Sequence, residues 1–298
     1  MRIIPPITVT DTNLTSSNVP ENDAAAWAIG TTYAAAALVI YDHAIYESIA
    51  GSNVGNQPDT AVLKWLRLSA TNRYKAFDKR LSDPTTQAES INYVLAHGGV
   101  YVGAFAFFGM KGTTLEIVVT DPTDGVVFSK TYSLIDETSV VDWYTYYFSP
   151  IGVQQTEVIE INIPPYASAS TSITVTNTGG TAEIGQIVYG RDAELGVTTM
   201  GVNVSIEDYS RKERDAFGNV IIVEREFSQT ADFDIKIPTS AARRVQGLLS
   251  EYRTTPVVWI GDPREELATV VYGYYRRFDI TLSSPLLSDA TIEIEGLI

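Results

Sequence analysis

The chain contains two histidines, His43 and His97, which lie far apart in the sequence. His43 falls in an expected turn, and His97 comes directly before two glycines. Neither belongs to a spacing that holds zinc, such as HExxH or a paired-histidine motif. We therefore expect both to be ordinary surface or turn histidines, and we expect no metal and no other cofactor.

Motifs for nucleophilic, phosphate and dinucleotide chemistry are absent from the sequence. There is no Gly-x-Ser-x-Gly elbow, no Walker-type loop and no Rossmann glycine fingerprint. Because the chain has no cysteine, thiolate ligands, disulfides and cysteine nucleophiles are excluded as well. We expect a protein that is not an enzyme.

Carboxylates are plentiful, and two of them roughly 5 to 10 Å apart could cleave a glycosidic bond. Asp121 and Asp124 are close in sequence, but the proline and Gly125 around them indicate a turn. Glu293 and Glu295 alternate along a terminal strand, which fits a solvated edge. No particular pair is indicated, so glycan hydrolysis is the least favoured of three hypotheses.

Aromatic side chains are the remaining residues that could carry chemistry, since ring faces bind the apolar faces of sugars. Tyr33, Tyr46 and Trp65 are the candidate glycan-contacting residues. The alternative is that these rings form the small core of their own segment, which has little else to bury. A second aromatic cluster, Trp143 to Phe148, would place one face in a core and leave the other for an interface or a sugar.

The segment from Trp27 to Trp65 resembles the small chitin-binding-type carbohydrate module. The resemblance rests on its order of Trp, Gly and Tyr, a Val-x-Tyr strand, a Tyr step, a proline and a final Trp. The family's Gly-Asp turn before the Val-x-Tyr strand is replaced here by Ala34 to Ala37 and Leu38. The resemblance implies a few short strands that fix aromatic rings, and a capacity to bind carbohydrate.

Near the C-terminus, tyrosines and arginines are concentrated in one predicted strand. Because Tyr and Arg are enriched in protein interfaces, this strand is a candidate subunit interface. The candidate interface residues are Tyr272, Tyr274, Tyr275, Arg276 and Arg277.

The net charge of −15 is unevenly distributed. Residues 81–190 hold two basic and eleven acidic side chains, so this segment would repel a phosphate backbone, and we expect no nucleic-acid partner. The acidic surface is either a solubilising face or a docking face for a basic partner. No signal peptide is expected at Met1, and Ala34 to Tyr41 is too short to insert into a membrane.

The pattern of elements predicts a mainly β protein in four segments. Residues 1–26 predict an extended arm that docks on a neighbour, and residues 27–80 a small β unit like the carbohydrate module. Residues 81–190 carry short strands with turns about every ten residues, which indicates a jelly-roll-like β-sandwich. Residues 191–298 predict a β-barrel-like, split-barrel assembly domain with one helix over 240–253, where apolar positions follow a helical period.

A second resemblance covers most of the chain. Its C-terminal motifs are Val202-x-Val-x-Ile-x-Asp-Tyr-Ser, Phe217-Gly-Asn219, Pro256-Val-Val-Trp259, Val271-Tyr-Gly-Tyr-Tyr-x-x-Phe278 and Ile294-Glu-Gly-Leu297. Two earlier motifs, Arg73-Tyr-x-x-Phe77-Asp78 and Asp121-Pro-x-Asp-Gly125, extend it through most of the chain. Together they resemble structural proteins from tail and baseplate gene clusters of tailed bacteriophages. The resemblance implies a virion protein, made in the host cytoplasm, that forms a symmetric oligomer, a trimer or hexamer, and contacts other tail proteins. The alternative hypothesis is a carbohydrate-binding adhesin that contacts cell-surface glycans.

Overall fold

The computed structural model describes residues 1–135, 143, 154–199, 202–214, 217–261 and 269–297. The described chain is mainly β, which confirms the predicted class. One α-helix, α1 (Ala242–Glu251), and two short 3-10 segments, Lys75–Phe77 and Thr239–Ala241, accompany the strands. The strands are β1 (Arg2–Ile4), β2 (Leu14–Ser17), β3 (Ala25–Ala26), β4 (Leu38–Tyr41), β5 (Ala44–Ser48), β6 (Trp65–Ala70), β7 (Thr85–Ala96), β8 (Ala104–Phe108), β9 (Thr114–Asp121), β10 (Gly125–Ser133), β11 (Val158–Ile161), β12 (Ser170–Ile184), β13 (Gln186–Gly190), β14 (Ala193–Glu194), β15 (Val197–Thr198), β16 (Asn203–Asp208), β17 (Arg211–Arg214), β18 (Val220–Val223), β19 (Phe227–Pro238), β20 (Val257–Ile260), β21 (Val270–Thr281) and β22 (Leu287–Gly296).

The middle of the chain forms a β-sandwich, as the sequence predicts. A five-stranded sheet in the order β10-β9-β12-β7-β2 packs against a three-stranded sheet in the order β11-β8-β13. Strand β8 is buried on both faces, and its alternation separates two cores. Phe105 and Phe107 enter the sandwich core, whereas Ala104, Ala106 and Phe108 face the neighbouring sheet.

The C-terminal part forms an open sheet rather than the barrel-like domain that the sequence suggested. Its order is β14-β1-β20-β21-β22-β19-β15, with β16 also paired to β19. In the described residues the end strands β14 and β15 each pair on one side only, so the sheet does not close. One face packs against the three-stranded sheet, and the other packs against α1. The result is a stack of layers in which the helix covers one face of this sheet, and the three-stranded sheet covers the other face along β1, β20 and the start of β21.

The N-terminal segment is built into these layers, so the expectation of an arm docking on a neighbour is wrong for its strands. β1 pairs with β14 and β20 in the C-terminal sheet, and β2 pairs with β7 in the sandwich. Ile3 packs toward the helix, and Ile4 packs toward the three-stranded sheet. A three-residue strand therefore contributes to two cores. The backbone at Gly190 on β13 lies close to the backbone at Pro5. A Cβ at Gly190 would lie 2.1 Å from the carbonyl oxygen of Pro5, so only glycine fits there.

Helix α1 lies within the predicted range 240–253. Val245 and Leu249 are fully buried, and Leu248 and Tyr252 pack partly against the same core, as the helical period predicts. The hydroxyl of Tyr275 on β21 donates a hydrogen bond to the carbonyl of Leu249 at 3.0 Å. This bond fixes the C-terminal turn of the helix to the sheet.

The small unit near the N-terminus is a four-stranded sheet in the order β3-β4-β5-β6. β4 and β5 are joined by Asp42 and His43, both with positive φ, as a two-residue hairpin turn requires. One face of the sheet carries a compact core around Val39, Tyr46 and Trp65. This unit presents its hairpin turn toward the rest of the chain.

Candidate functional site

The three candidate glycan-contacting rings meet in the small unit, but mostly inside it. Trp65 is 3% exposed and Tyr46 is buried beside it. The ring of Tyr33 contacts Trp65 edge-on with centroids 5.2 Å apart, and Tyr33 alone of the three is half-buried. The indole N–H of Trp65 donates a hydrogen bond to the carbonyl of Asn56 at 2.9 Å. Tyr46 and Trp65 thus serve the unit's own core, the alternative that the sequence left open.

The second aromatic cluster, Trp143 to Phe148, falls mainly outside the described residues. Of its members only Trp143 is described, and it is exposed. The prediction that one face of this cluster forms an interface or sugar platform therefore stays a prediction.

The five candidate interface residues divide between three environments. Tyr272 is 3% exposed and stacks on Phe108 at 5.4 Å, so it belongs to the contact between two layers of the same chain. Tyr275 packs against the helix-side core, with its ring edge-on to Trp259 at 6.1 Å. Neither ring is available to a second subunit in this arrangement.

Tyr274, Arg276 and Arg277 remain exposed on the face of the C-terminal sheet that the helix does not cover. Arg276 pairs with Glu295 at 3.0 Å, and Arg277 pairs with Asp279 at 2.6 Å. A register shift between Tyr275 and Arg277, typical of a β-bulge, leaves Arg276 without a paired residue on β22. Exposed pairs of this kind contribute little to stability, typically about 0 to 1 kcal/mol, so they are available to exchange partners.

The two histidines have environments that the sequence did not indicate. His97 is buried rather than on the surface: one ring nitrogen, Nδ1, lies 2.7 Å from the carbonyl of Tyr166, and Nε2 lies 2.8 Å from the hydroxyl of Thr171. Because a carbonyl can only accept, Nδ1 carries the proton and Nε2 accepts from the threonine. Burial lowers the pKa of His97, so it is a neutral structural residue.

His43 occupies the predicted turn, and it joins the small unit to the N-terminal segment. Its Nε2 lies 2.8 Å from Asp11, its Nδ1 lies 2.8 Å from Glu21, and its ring stacks on Tyr74 at 3.9 Å. Desolvation opposes protonation, but hydrogen bonds to Glu21 and Asp11 together with their charges outweigh it and raise the pKa of His43. The protonated ring thus links Asp11 to Glu21 through its two nitrogens, and this arrangement is called the clamp below.

The carboxylates around His43 accept further hydrogen bonds within this cluster. The hydroxyl of Tyr74 donates to Asp11 at 2.7 Å, and that of Thr71 donates to Glu21 at 2.8 Å, so both carboxylates are committed to structural hydrogen bonds. Protonated His43 donates one hydrogen bond to each of the two carboxylates. Among the described residues, no group of three or more histidines and carboxylates could hold a metal ion.

The carboxylate pairs considered from the sequence are explained by local structure. Asp121 accepts hydrogen bonds from the backbone N–H groups of Thr123 and Asp124 at 2.9 and 3.2 Å, which forms the predicted turn between β9 and β10. Glu293 and Glu295 share one face of β22, opposite the buried side chains of that strand. Both pairs therefore have structural roles.

The least covered part of the described chain is a protruding hairpin, named the ribbon below, that consists of β16, β17, β18 and the start of β19 at Phe227. β16 pairs with β19, and β17 continues the hairpin by pairing with β18. Every residue of β16, β17 and β18 is exposed, on both faces. Nine large apolar side chains of the ribbon are exposed: Val204, Ile206, Tyr209, Phe217, Val220, Ile221, Ile222, Val223 and Phe227.

The turn sequence Asp215-Ala-Phe-Gly-Asn219 predicts a long hairpin of Met200 to Tyr209 with Asn219 to Phe227, but the sequence does not indicate that this hairpin is isolated. In its outer part, the strand Val220–Val223 is aliphatic, and the strand Arg211–Arg214 that pairs with it is charged. A two-stranded hairpin with no covering layer is at best marginally stable in water. Unpaired strand edges with apolar side chains also promote association with another chain. The ribbon is therefore the candidate functional site, a surface for assembly.

No helix in the described parts of the chain is long and apolar enough to span a membrane. Comparison with protein-family models gave no match to this chain, and comparison with curated proteins gave none either.

Proposed function

We propose that this protein is a non-enzymatic structural component of a bacteriophage tail tip or baseplate, and that it assembles with copies of itself through the ribbon. The observation that supports assembly is the exposed ribbon, with nine apolar side chains and no covering layer among the described residues. The place in a virion rests on the resemblance of its motifs to tail and baseplate proteins. Other tail proteins would be its further partners.

The ribbon's exposed apolar surface contributes a driving force for association. If assembly removes about 500 Å² of apolar surface from water, burial contributes on the order of 12 kcal/mol. The cost of association is roughly 4 to 15 kcal/mol, so additional contacts would be needed for a tight complex. Tyr274, Arg276 and Arg277 lie on the same sheet as the ribbon and are exposed, which makes them candidates for those contacts.

The experiment compares the solution mass of the intact chain with that of a ribbon variant. Ile221→Thr with Ile222→Thr changes one apolar side chain on each face while it keeps β-branched residues in the strand. We expect the intact chain to form a discrete oligomer and the variant to shift toward monomer. Val126→Thr, an exposed position on β10, is the matched control and should leave the mass unchanged. An oligomer that persists in the double variant would contradict the role of the ribbon.

The alternative function, a carbohydrate-binding adhesin, has less support from the geometry. Of its three candidate rings, only Tyr33 keeps a partly exposed face. Tyr33→Ala should weaken binding to a glycan array if the small unit binds sugars. Binding that is equal in this variant and in the intact chain would remove the site from consideration.

A further inference from the structure

A cavity of about 290 Å³ lies at the base of the ribbon, between the layers of the chain. Its apolar walls include Leu81, Phe108 and Val271. A dry apolar cavity of roughly 150 Å³ is large enough to hold benzene, so this one has room for a phenyl ring and more. The cavity therefore has the size and the lining of a pocket for one aromatic side chain.

The cavity is lined by a hydroxyl group without a hydrogen-bond partner and by two carboxylates without a basic residue beside them, all among the described residues. Tyr272 lines the cavity and is 3% exposed, and its hydroxyl has no hydrogen-bond partner among the described residues. Glu157 and Glu226 also line it, whereas no lysine or arginine among the described residues does. A ligand for this cavity would combine an apolar ring with a positive charge or a polar group.

The tip of the ribbon presents that combination. Phe217 at the turn is 91% exposed, and Arg214 ends β17 three residues before it. Arg211 and Lys212 each have a carboxylate partner within the ribbon, at 2.5 Å to Glu213 and 2.7 Å to Asp208. Arg214 makes no ion pair with another described residue. An exposed aromatic ring and a neighbouring arginine are typical of the residues that dominate binding energy.

The tip cannot reach the cavity of its own chain while the ribbon stays paired. Glu226 and Phe227 line the cavity, and Phe217 lies nine residues further along the hairpin. At about 3.3 Å per residue, the tip lies roughly 25 to 30 Å from the cavity. An occupant with the tip's chemistry must therefore come from another copy.

We propose that the ribbon tip of one copy docks in the cavity of a second copy, with the ring of Phe217 between the apolar walls and Arg214 facing Glu157 and Glu226. This inference deepens the proposed function and rests on it. A tip-to-base contact uses two different surfaces, so it is heterologous and generates a closed ring or an open filament. It thus accounts for how one ribbon per chain could produce a symmetric assembly.

The first test uses charge exchange, read by light scattering of full-length chains. Arg214→Glu alone should weaken association at least tenfold, and so should Glu157→Arg combined with Glu226→Arg. A chain that carries all three substitutions should recover association, because opposite charges again face each other at every contact. Phe217→Ser should also dissociate the oligomer, whereas Leu63→Ser, an equally exposed position in the small unit, should not.

The second test uses the absence of cysteine from the chain. Differently tagged copies of Phe217→Cys and Leu297→Cys, mixed and oxidised, should form a disulfide-linked pair, because Leu297 lines the cavity. Phe217→Cys mixed with Leu63→Cys should not. If the charge and Phe217 variants keep the oligomer and no specific cross-link forms, while Ile221→Thr with Ile222→Thr dissociates it, tip docking is overturned and assembly through the ribbon stands. A monomeric intact chain would overturn both.

Discussion

The contacts of His43 with Asp11 and Glu21 predict that replacing His43 lowers the stability of the fold, and that the size of this loss depends on pH. Replacing His43 by glycine removes the imidazole but suits the hairpin turn, because the residue has φ of +58°. Asp42→Gly is the matched control, since Asp42 also has positive φ and lies beside His43 in the same turn. Both variants relieve turn strain, and only one removes the clamp.

The magnitude follows from the contacts that His43 makes. Hydrogen bonds to charged groups contribute about 1.5 to 3 kcal/mol each, and partial exposure reduces this to about 1 kcal/mol for each of the two carboxylates. Stacking on Tyr74 adds about 0.5 to 1.5 kcal/mol. Relief of strain at the turn returns about 1 kcal/mol. We expect His43→Gly to lower the free energy of unfolding by about 1.5 to 2.5 kcal/mol at pH 6, and Asp42→Gly to leave it equal or raise it.

The pH dependence has a definite sign. The pKa of His43 is raised on folding, so its contribution is fully present below the unfolded value of 6.5 and is lost as pH rises through the folded pKa. The pKa of Asp11 is lowered, chiefly by hydrogen bonds from Tyr74 and His43, so that contribution is present above 3.8 and is lost as pH falls through its folded pKa. The difference between the intact chain and His43→Gly should therefore be largest between about pH 4 and 6.5.

The assay is chemical denaturation of both chains from pH 4 to 9, with hydrogen exchange at Thr71 as the local probe. The backbone N–H of Thr71 donates to the carbonyl of His43 at 2.8 Å, so it reports opening of this contact. The stability difference should shrink above pH 7, and exchange at Thr71 should accelerate there in the intact chain. A difference that is constant or grows with pH would refute the clamp.

Three further predictions concern stability. Burial raises the pKa of Asp78 to about 6, so ionisation destabilises the fold as pH rises from 3.8 through 6; Asp78→Asn should gain about 1 to 2 kcal/mol at pH 8 and almost nothing at pH 4, in denaturation at the two pH values. Tyr275→Phe removes the hydrogen bond to the carbonyl of Leu249 and should cost about 0.5 to 1.5 kcal/mol, with faster hydrogen exchange in the last turn of α1; exchange unchanged there would contradict the role of that bond. Gly190→Ala forces a Cβ to within 2.1 Å of the carbonyl oxygen of Pro5 and should cost about 1 to 3 kcal/mol or more, seen as a lower melting temperature; an unchanged melting temperature would show that the N-terminal segment yields easily.

Periodic patterns within a short segment were enough to predict individual helices and strands. The helical period of Val245 and Leu249 predicted α1. The aromatic and β-branched run from Val100 to Phe108, with small residues interleaved, indicated a strand, and Ala104–Phe108 of it forms β8. Its two-sided burial, however, depends on which sheets lie on either side. The long strand β7 was not predicted, because its first half is polar and follows a run rich in turn residues.

Contacts between distant residues could not be predicted from local patterns. The pairing of β1 with β20 joins residues more than 250 positions apart, and nothing in a three-residue strand specifies that partner. His43 gave no sequence signal for a clamp, because Asp11 and Glu21 lie in a different segment. The hairpin at Phe217 was predictable from its turn, but its exposure was not, because exposure depends on the absence of a covering layer.

The most direct test of the central claim is the solution mass of the intact chain, measured by light scattering over a range of concentrations. The assembly account predicts a discrete oligomer, three or six copies, that appears as a ring by negative-stain imaging. A strict monomer at high concentration would contradict self-assembly through the ribbon.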